Sequence, residues 1–523
     1  MTLGERIPDA TRTILRSNAN TMFWLALFTF LSTLVVFVLL QRLGLPTEIV
    51  IGAIFILSIV AIAGLAWTSR TMTSSVFFYA NRALGPFTSG LGSTSDLLSG
   101  AMLILFFSTN LAGRMVIATG LVLGVLLQAA LFSSAFHRSG VSSLPGYFTW
   151  RYQRKIIGYP ALLAVFALLA MLAMAEFQVA NSILQIQTGL PLEQTAWIVV
   201  ILAVLPSVFG GWTGLLLVNA TLVIWMLACT LVPAVATGFF APALSQALQM
   251  DLLGNPLEVL NLAPSMTLLG AGDFASIATI VLSVFMIAAG VSTLPHTLSR
   301  LSTNSRPVEA IESVGWLALM VFLMLSALPL SLGLIIASPT STELAVVLQG
   351  QPVLQMLPYF VVLFAALNAL SVTLFTAASS VVRATSRMRN LDPGDQSVFS
   401  TRLGVLLLAG VLLKWPESLT VSPEYLLVSA LMLAAGGLFV PLVASTWLRY
   451  LSVWTVSAAI LGGSLTTAIL LSPLAFSVGF PASWAGGCGA LVAFVLIAGD
   501  RVTAMMRRRA PKMNSSVLQL RRH

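Results

Sequence analysis

Fourteen runs of about 20 mostly apolar residues, the length that carries an α-helix across the hydrocarbon core of a bilayer, make up most of this 523-residue chain. They lie near 22–40, 48–68, 84–110, 113–136, 157–187, 194–210, 213–240, 273–296, 309–337, 356–385, 400–414, 424–447, 451–472 and 482–500. Inside lipid every backbone N–H and C=O must find its partner within the protein, so runs of this kind are helices. Only 8% of the residues are charged and 58% are hydrophobic, against about 25% charged in soluble domains. The chain is therefore read as an all-α integral membrane protein with about 14 transmembrane helices and no soluble domain. Arg6, Arg12 and Arg16 precede the first run as in a secretory signal, but Gln41-Arg42-Leu43-Gly44 offers no small-x-small cleavage site, so that run is expected to stay as a helix.

Lysine and arginine are kept on the cytoplasmic side in short loops, and their positions test this division. With both termini cytoplasmic, 23 of the 26 Lys and Arg residues fall on that side, against Arg42, Arg114 and Lys414 on the other. A missed or spurious crossing in mid-chain would scramble such a partition. The expectation is a multi-pass protein of the cytoplasmic (inner) membrane with both ends inside. Its net charge of +9 is thus a topology signal that marks the lipid bilayer, not nucleic acid, as the partner. The Arg507-Arg508-Arg509 run reads as an anchor beside the anionic leaflet. The longest polar stretches are an outside loop near 241–272 and a cytoplasmic segment near 386–400, whose Asp392-Pro393-Gly394-Asp395 has turn chemistry.

Three histidines (His137, His296, His523) and two cysteines (Cys229, Cys488) are too few for a zinc, haem or iron–sulfur centre of ordinary ligand count. Both cysteines sit in apolar runs and read as small buried hydrophobes. No grouping of nucleophile, base and metal ligands is present, so no enzyme and no organic cofactor is expected.

The informative residues are those that lipid should exclude, because an ionisable group at membrane depth faces a cavity or a partner. The stretch Gly85-Pro86-Phe87-Thr88-Ser89-Gly90-Leu91-Gly92-Ser93-Thr94-Ser95-Asp96-Leu97-Leu98-Ser99-Gly100 packs glycines, hydroxyls and one carboxyl into the third run. Unwound backbone is expected there, with exposed carbonyls and half-helix ends of the sort that hold a cation and an anionic solute group. A small-residue packing face is the structural alternative. A second candidate is Glu176-Phe177-Gln178-Val179-Ala180-Asn181. Helical spacing puts Gln178 and Asn181 on one face and Glu176 well away from Gln178, so Glu176 is either part of the site or satisfied by water at the outer end of its helix. A third is Gly290-Val291-Ser292-Thr293-Leu294-Pro295-His296 with Arg300, a run closed by proline whose histidine and arginine are expected at the cytoplasmic rim.

Runs three and eight are thus both interrupted. Counted as first members of two sets of five, they define repeats over 84–240 and 273–447, and an odd number of crossings per set makes the two inverted. Interrupted helices at matching positions of inverted halves point to a central transport site. The remaining segments are 1–83 with two accessory helices, the loop 241–272, two further helices over 448–500 and a basic tail over 501–523.

Four stretches resemble the sodium:solute symporter family, in its acetate-permease-like branch: Phe78-Tyr79-Ala80-Asn81-Arg82-Ala83-Leu84-Gly85 leading into Ser95-Asp96-Leu97-Leu98-Ser99-Gly100; Ser143-Leu144-Pro145-Gly146-Tyr147-Phe148 before Arg151-Tyr152; Gly210-Gly211-Trp212-Thr213-Gly214; and Leu294-Pro295-His296 with Arg300. The resemblance implies a five-plus-five inverted-repeat core of the leucine-transporter type and Na+-coupled uptake of a small solute. It also implies a cation site between the first and eighth core helices. Carried over residue by residue, that site is Thr94 and Leu97 as carbonyl donors, with Ala365, Asn368 and Ala369 on the eighth core helix. Where many members place two hydroxyls, this chain has Asn368 and Ala369, with Ser371 and Thr373 nearby. Arg383-Ala384-Thr385-Ser386 replaces the usual acidic-Leu-Tyr-like end. H+ is therefore the alternative coupling ion, with Asp96 as its carrier.

The expected function is secondary active symport of a small organic solute, with a monocarboxylate such as acetate implied by the branch alone. Gly90, Gly92, Ser93, Ser99, Gln178, Asn181, Ser292 and Thr293 are expected to line the solute path, and Asp96 to serve ion coupling. The alternative is a transporter-like sensor or subunit that has lost sodium coupling. A small membrane subunit is a candidate partner.

Overall fold

The computed structural model describes residues 21–509 apart from 22–23, 26, 38, 41–42, 83–84, 110, 241–276, 337–351, 389–395, 415–420, 449–450 and 473–480. The expected outside loop 241–272, the Asp392–Asp395 turn and the tail beyond 509 lie outside the described residues.

The described chain is helical, and no strand occurs among the described residues. Leaving aside the short helices Ser74–Tyr79 and Leu144–Tyr152, the helices in order are α1 (Leu27–Phe37), α2 (Thr47–Thr68), α3 (Pro86–Leu97), α4 (Gly100–Ser108) and α5 (Gly113–Ser139). Then come α6 (Gly158–Thr188), α7 (Leu192–Phe240), α8 (Ile277–Ser292), α9 (Pro295–Arg300) and α10 (Pro307–Ile336). The last are α11 (Pro352–Met388), α12 (Gln396–Leu413), α13 (Pro423–Trp447), α14 (Val453–Leu470) and α15 (Ala482–Arg509).

Among the described residues nine helices are long and apolar enough to cross a membrane, or eleven with the two bent pairs α3+α4 and α8+α9. Each of the fourteen expected segments holds helix, but α1 and α2 contribute only shorter apolar stretches, Leu27–Phe37 and Gly52–Thr68. Helix α7, 49 residues long, would reach about 70 Å if straight, more than twice a bilayer core of about 30 Å. It is divided at Gly211, whose φ of 56° and ψ of −137° suit only glycine. A Cβ there would also lie 2.4 Å from the Phe77 carbonyl oxygen. Large side chains such as Phe28, Leu163, Phe322, Leu407 and Leu491 point outward, an apolar exterior that water would not tolerate and lipid solvates.

The packing shows the two halves exchanging partners. Helix α3 lies on α10, while α8 lies on α5; each half's broken helix thus begins against the second helix of the other half. Helices α6 and α11, third in their halves, pack on each other, α7 packs on α11, and the start of α13 packs on α6. Helix α11 is the hub: 94% of its most apolar window is buried, against 28% for the peripheral α14. At one end of the bundle the aromatic run Phe77-Phe78-Tyr79 gathers cations from separate segments. Arg383 lies over the Phe78 and Tyr79 rings at 4.6 and 4.8 Å, Arg402 over Phe77 at 5.3 Å and Arg82 over Tyr79 at 5.8 Å.

Candidate functional site

The polar third run is more regular than expected. Its hydroxyls turn back on their own helix: Ser93 donates to the Ser89 carbonyl, Thr94 to Gly90 and Ser95 to Gly92. Pro86 suits the first turn, where its missing N–H costs nothing, and α3 runs unbroken to Leu97. The interruption is confined to Leu98 and Ser99, where the axis bends by 55°. In a continuous helix the Ala101 N–H would go to the Leu97 carbonyl. Here it donates to Glu176 Oε2 at 3.2 Å, and Ser99 Oγ accepts from the Met102 N–H at 3.3 Å. Glu176 and Ser99 together cap the positive end of α4. Glu176 is therefore not satisfied by water at the end of its helix. It is 1% exposed and helps to set the break.

The second interruption falls at Thr293 and Leu294, with a bend of 42°. Pro295 starts α9, which continues inside the protein, so His296 and Arg300 are buried. Arg300 Nη2 donates to Asp96 Oδ1 at 2.7 Å, and Arg300 Nε lies 2.6 Å from Asp96 Oδ2. The guanidinium rests 5.4 Å from the centre of the Trp212 ring. Gly92 leaves it room, since a Cβ there would stand 2.7 Å from Arg300 Nη1. The Asn219 amide, oriented to satisfy both its ends, accepts from Arg300 Nη2 at 2.9 Å and donates to Asn368 Oδ1 at 3.1 Å. One network thus joins α3, the second arm of α7, α9 and α11.

Beside it lies a narrow cavity whose free space holds little more than one water-sized group. Its wall includes Asp96, Leu97, Ser99, Glu176, His296, Ala369 and Thr373. The expected residues divide accordingly. Asp96, Leu97, Ser99 and Ala369 meet at this cavity. Asn368 turns its oxygen to Asn219, and Ala365 is buried in helix packing. Gly90 packs against α10, where a Cβ would stand 2.6 Å from Trp316 Cβ, the small-residue alternative noted above. Asn181 accepts from the Thr195 hydroxyl at 2.5 Å, and Ser292 donates to the Ala289 carbonyl. Thr293 donates to Ala289 and reaches the Ala434 carbonyl at 3.4 Å. Ser93, Gln178, Asn181, Ser292 and Thr293 do not line the cavity. Glu176, Asn219, Trp212 and Arg300 form the site without having been assigned to it. Glu176 and Arg300 did carry a signal, as ionisable residues in apolar runs.

A model of the sodium:solute symporter family matches residues 77–382. Among solved structures, a Na+-coupled sialic acid symporter in a substrate-bound, outward-open state is similar at 10% identity and a TM-score of 0.67, over 86% of this chain and 96% of that one. A nucleobase-cation-symport-1 family transporter with bromovinylhydantoin bound aligns at 15% identity with a TM-score of 0.43, over 82% and 95% of the two chains. No curated protein sequence matches significantly.

Proposed function

Because the chain belongs to the sodium:solute symporter family, we propose that it is a secondary active symporter. In this reading it carries a small organic solute with a cation across the cytoplasmic (inner) membrane, and it is not an enzyme. The observation that carries the reading is the meeting of two helices from opposite halves, each broken in mid-course, at the buried Asp96–Arg300 pair. Repeats over 84–240 and 273–447 would rock about these breaks in alternating access, the pair keeping the two halves in register. The cations gathered around Phe77–Tyr79 come from segments assigned to one side of the membrane, which supports cytoplasmic termini.

Sodium as the coupling ion is supported by the family and by the Na+-coupled symporter of the same fold. We place it at the end of α3 facing α11, with the Thr94 and Leu97 carbonyls on one side and the 365–373 face on the other. The Leu97 carbonyl suits this role because Glu176 has taken the N–H that a continuous helix would give it. Asn368 has its oxygen engaged by Asn219, whereas Thr373, whose hydroxyl donates to the Leu370 carbonyl and keeps its lone pairs for a cation, borders the cavity with Ala369. Asp96 is held in an ion pair by Arg300 and borders the cavity; H+ with Asp96 as its carrier is the alternative.

The test is entry of 22Na+ into proteoliposomes on addition of small amines and monocarboxylates outside. Solute-stimulated 22Na+ entry is the expected result. Solute-driven acidification of the lumen without it would indicate proton coupling. Neither response would favour the non-transporting subunit.

A further inference from the structure

Arg383, near the end of α11, is a buried cation whose partners among the described residues are aromatic rather than acidic. It lies over the Phe78 and Tyr79 rings at 4.6 and 4.8 Å and donates through Nη2 to the Tyr79 hydroxyl, with 5% of its surface exposed. Phe78 and Tyr79 belong to the short segment Ser74–Arg82 that leads into α3. The contact therefore ties the approach to the first broken helix to the hub helix of the other half. A ring needs no counter-charge when a cation leaves it, whereas parting Asp96 from Arg300 would strand two charges. Unlike that pair, the Arg383 contact opens without leaving a carboxylate behind.

What opening would uncover lies on α11 itself. At about 3.6 residues per turn, Ala369, Thr373, Thr376, Ser380 and Arg383 fall within about 80° of one face, and Ala369 and Thr373 border the cavity. Thr376 Oγ1 and Ser380 Oγ, both on side chains 1% exposed, have no hydrogen bond among the described residues. The helix Leu144–Tyr152 packs on α11 and on α9, and the Ser142 and Ser143 hydroxyls just before it are likewise buried and unpartnered among the described residues. A buried hydroxyl without a partner is unfavourable, and water admitted along this face of α11 would satisfy Thr376 and Ser380. The opposite side of the helix is closed by packing, since a Cβ at Gly404 on α12 would stand 3.2 Å from Ala378 Cβ. Resting on the symporter reading above, we propose that Arg383 is the latch of a release route along this face. Seated on Phe78 and Tyr79 it keeps the route dry; its withdrawal admits water past Ser380 and Thr376 to the cavity, about 15 Å along the helix, and lets cation and solute leave on the side assigned to the cytoplasm.

The test measures how fast a thiol introduced on each side of α11 reacts with 2-hydroxyethyl methanethiosulfonate, a small neutral reagent supplied in water. The purified full-length protein carries Cys229→Ala and Cys488→Ala, and intact mass reads the product. Ser380→Cys should react slowly with the latch intact and at least about ten-fold faster with Arg383→Gln, since the rate follows the population of the open form. Tyr79→Leu removes a ring and its hydroxyl from the other side of the contact and should act alike even if Arg383→Gln fails to fold. Ala378→Cys should stay slow in every background. An unchanged rate for Ser380→Cys in both latch variants overturns the proposal; so does equal acceleration of Ala378→Cys, which would mean that the variants loosen α11 as a whole. Solute-stimulated 22Na+ entry with the unmodified protein reports the symporter reading separately. Entry with no change at Ser380→Cys removes this inference and leaves that reading, whereas faster reaction of Ser380→Cys without such entry removes the symporter reading and leaves a latch that gates water alone.

Discussion

Arg300 and Asp96, 204 residues apart in the chain, meet at 2.7 Å between Nη2 and Oδ1, both buried, each on one of the two broken helices. The repeats contact each other over wide apolar faces, but this is where a specific charge on one half is matched by a specific charge on the other. Relative motion of the halves must either keep the pair or expose both groups to water. The Asn219 and Asn368 amides extend the link to α7 and α11.

Asp96→Asn should therefore cost more in stability than its loss of one hydrogen bond suggests. It leaves a buried guanidinium without its counter-charge, a change worth about 3–5 kcal/mol in other buried pairs. Arg300→Gln should be similarly costly. The double variant should cost clearly less than the two single changes together, because neither charge is then stranded. Heating followed by fluorescence-detected size-exclusion chromatography reads all three, and additive losses would mean that the pair contributes nothing as a pair.

Close approach of α4 to α11 gives a second expectation. At Gly100 a Cβ would stand 2.5 Å from Ala366 Cβ and 3.0 Å from Val179 Cγ1, and Ala366 Cβ cannot swing aside. Gly100→Ala should destabilise by about 1–3 kcal/mol. Gly315 on α10 has nothing within 4 Å, so Gly315→Ala should be neutral or should gain up to about 1 kcal/mol of helix propensity. Equal unfolding temperatures for the two variants would contradict the packing described.

The helices were legible in the sequence because run length and the Lys/Arg partition are local or additive signals, and the Gly211 kink fell between two expected spans for the same reason. The site was legible only in part. Gly90, Ser93, Thr94 and Ser95 looked like unwinding residues, yet the hydroxyls satisfy themselves on their own helix and Gly90 serves packing against Trp316. The break sits at Leu98 and Ser99, where Glu176, 75 residues on from Ala101, takes an N–H from the backbone. Nothing near Ala101 announces that partner. Arg300 read as a cation just past a helix end because proline usually closes a helix, whereas here Pro295 opens the next one and Arg300 is buried against Asp96.

Topology has its own measurement. If the termini are cytoplasmic, the arrangement that puts 23 of the 26 Lys and Arg residues on one side, a green fluorescent protein fused after His523 should fluoresce and alkaline phosphatase at the same point should be inactive. An active phosphatase would remove or add one crossing to the fourteen.

The coupling ion is tested on one face of α11. Ala369 and Thr373 are four residues apart, so they share a face, and both border the cavity with Leu97. Ser371, two residues from each, is not part of the cavity wall; both hydroxyls donate to their own helix, Ser371 to the Leu367 carbonyl and Thr373 to Leu370. If sodium binds between Leu97 and this face, Thr373→Val removes an oxygen ligand and should raise the sodium concentration for half-maximal 22Na+ uptake by about five- to 150-fold, the equivalent of about 1–3 kcal/mol. Ala369→Ser supplies the hydroxyl that this chain lacks and should lower it. Ser371→Ala should leave it unchanged. A large effect at Ser371 with none at Thr373 would move the sodium site one helical face around α11, and no effect at any of the three would remove it from this helix.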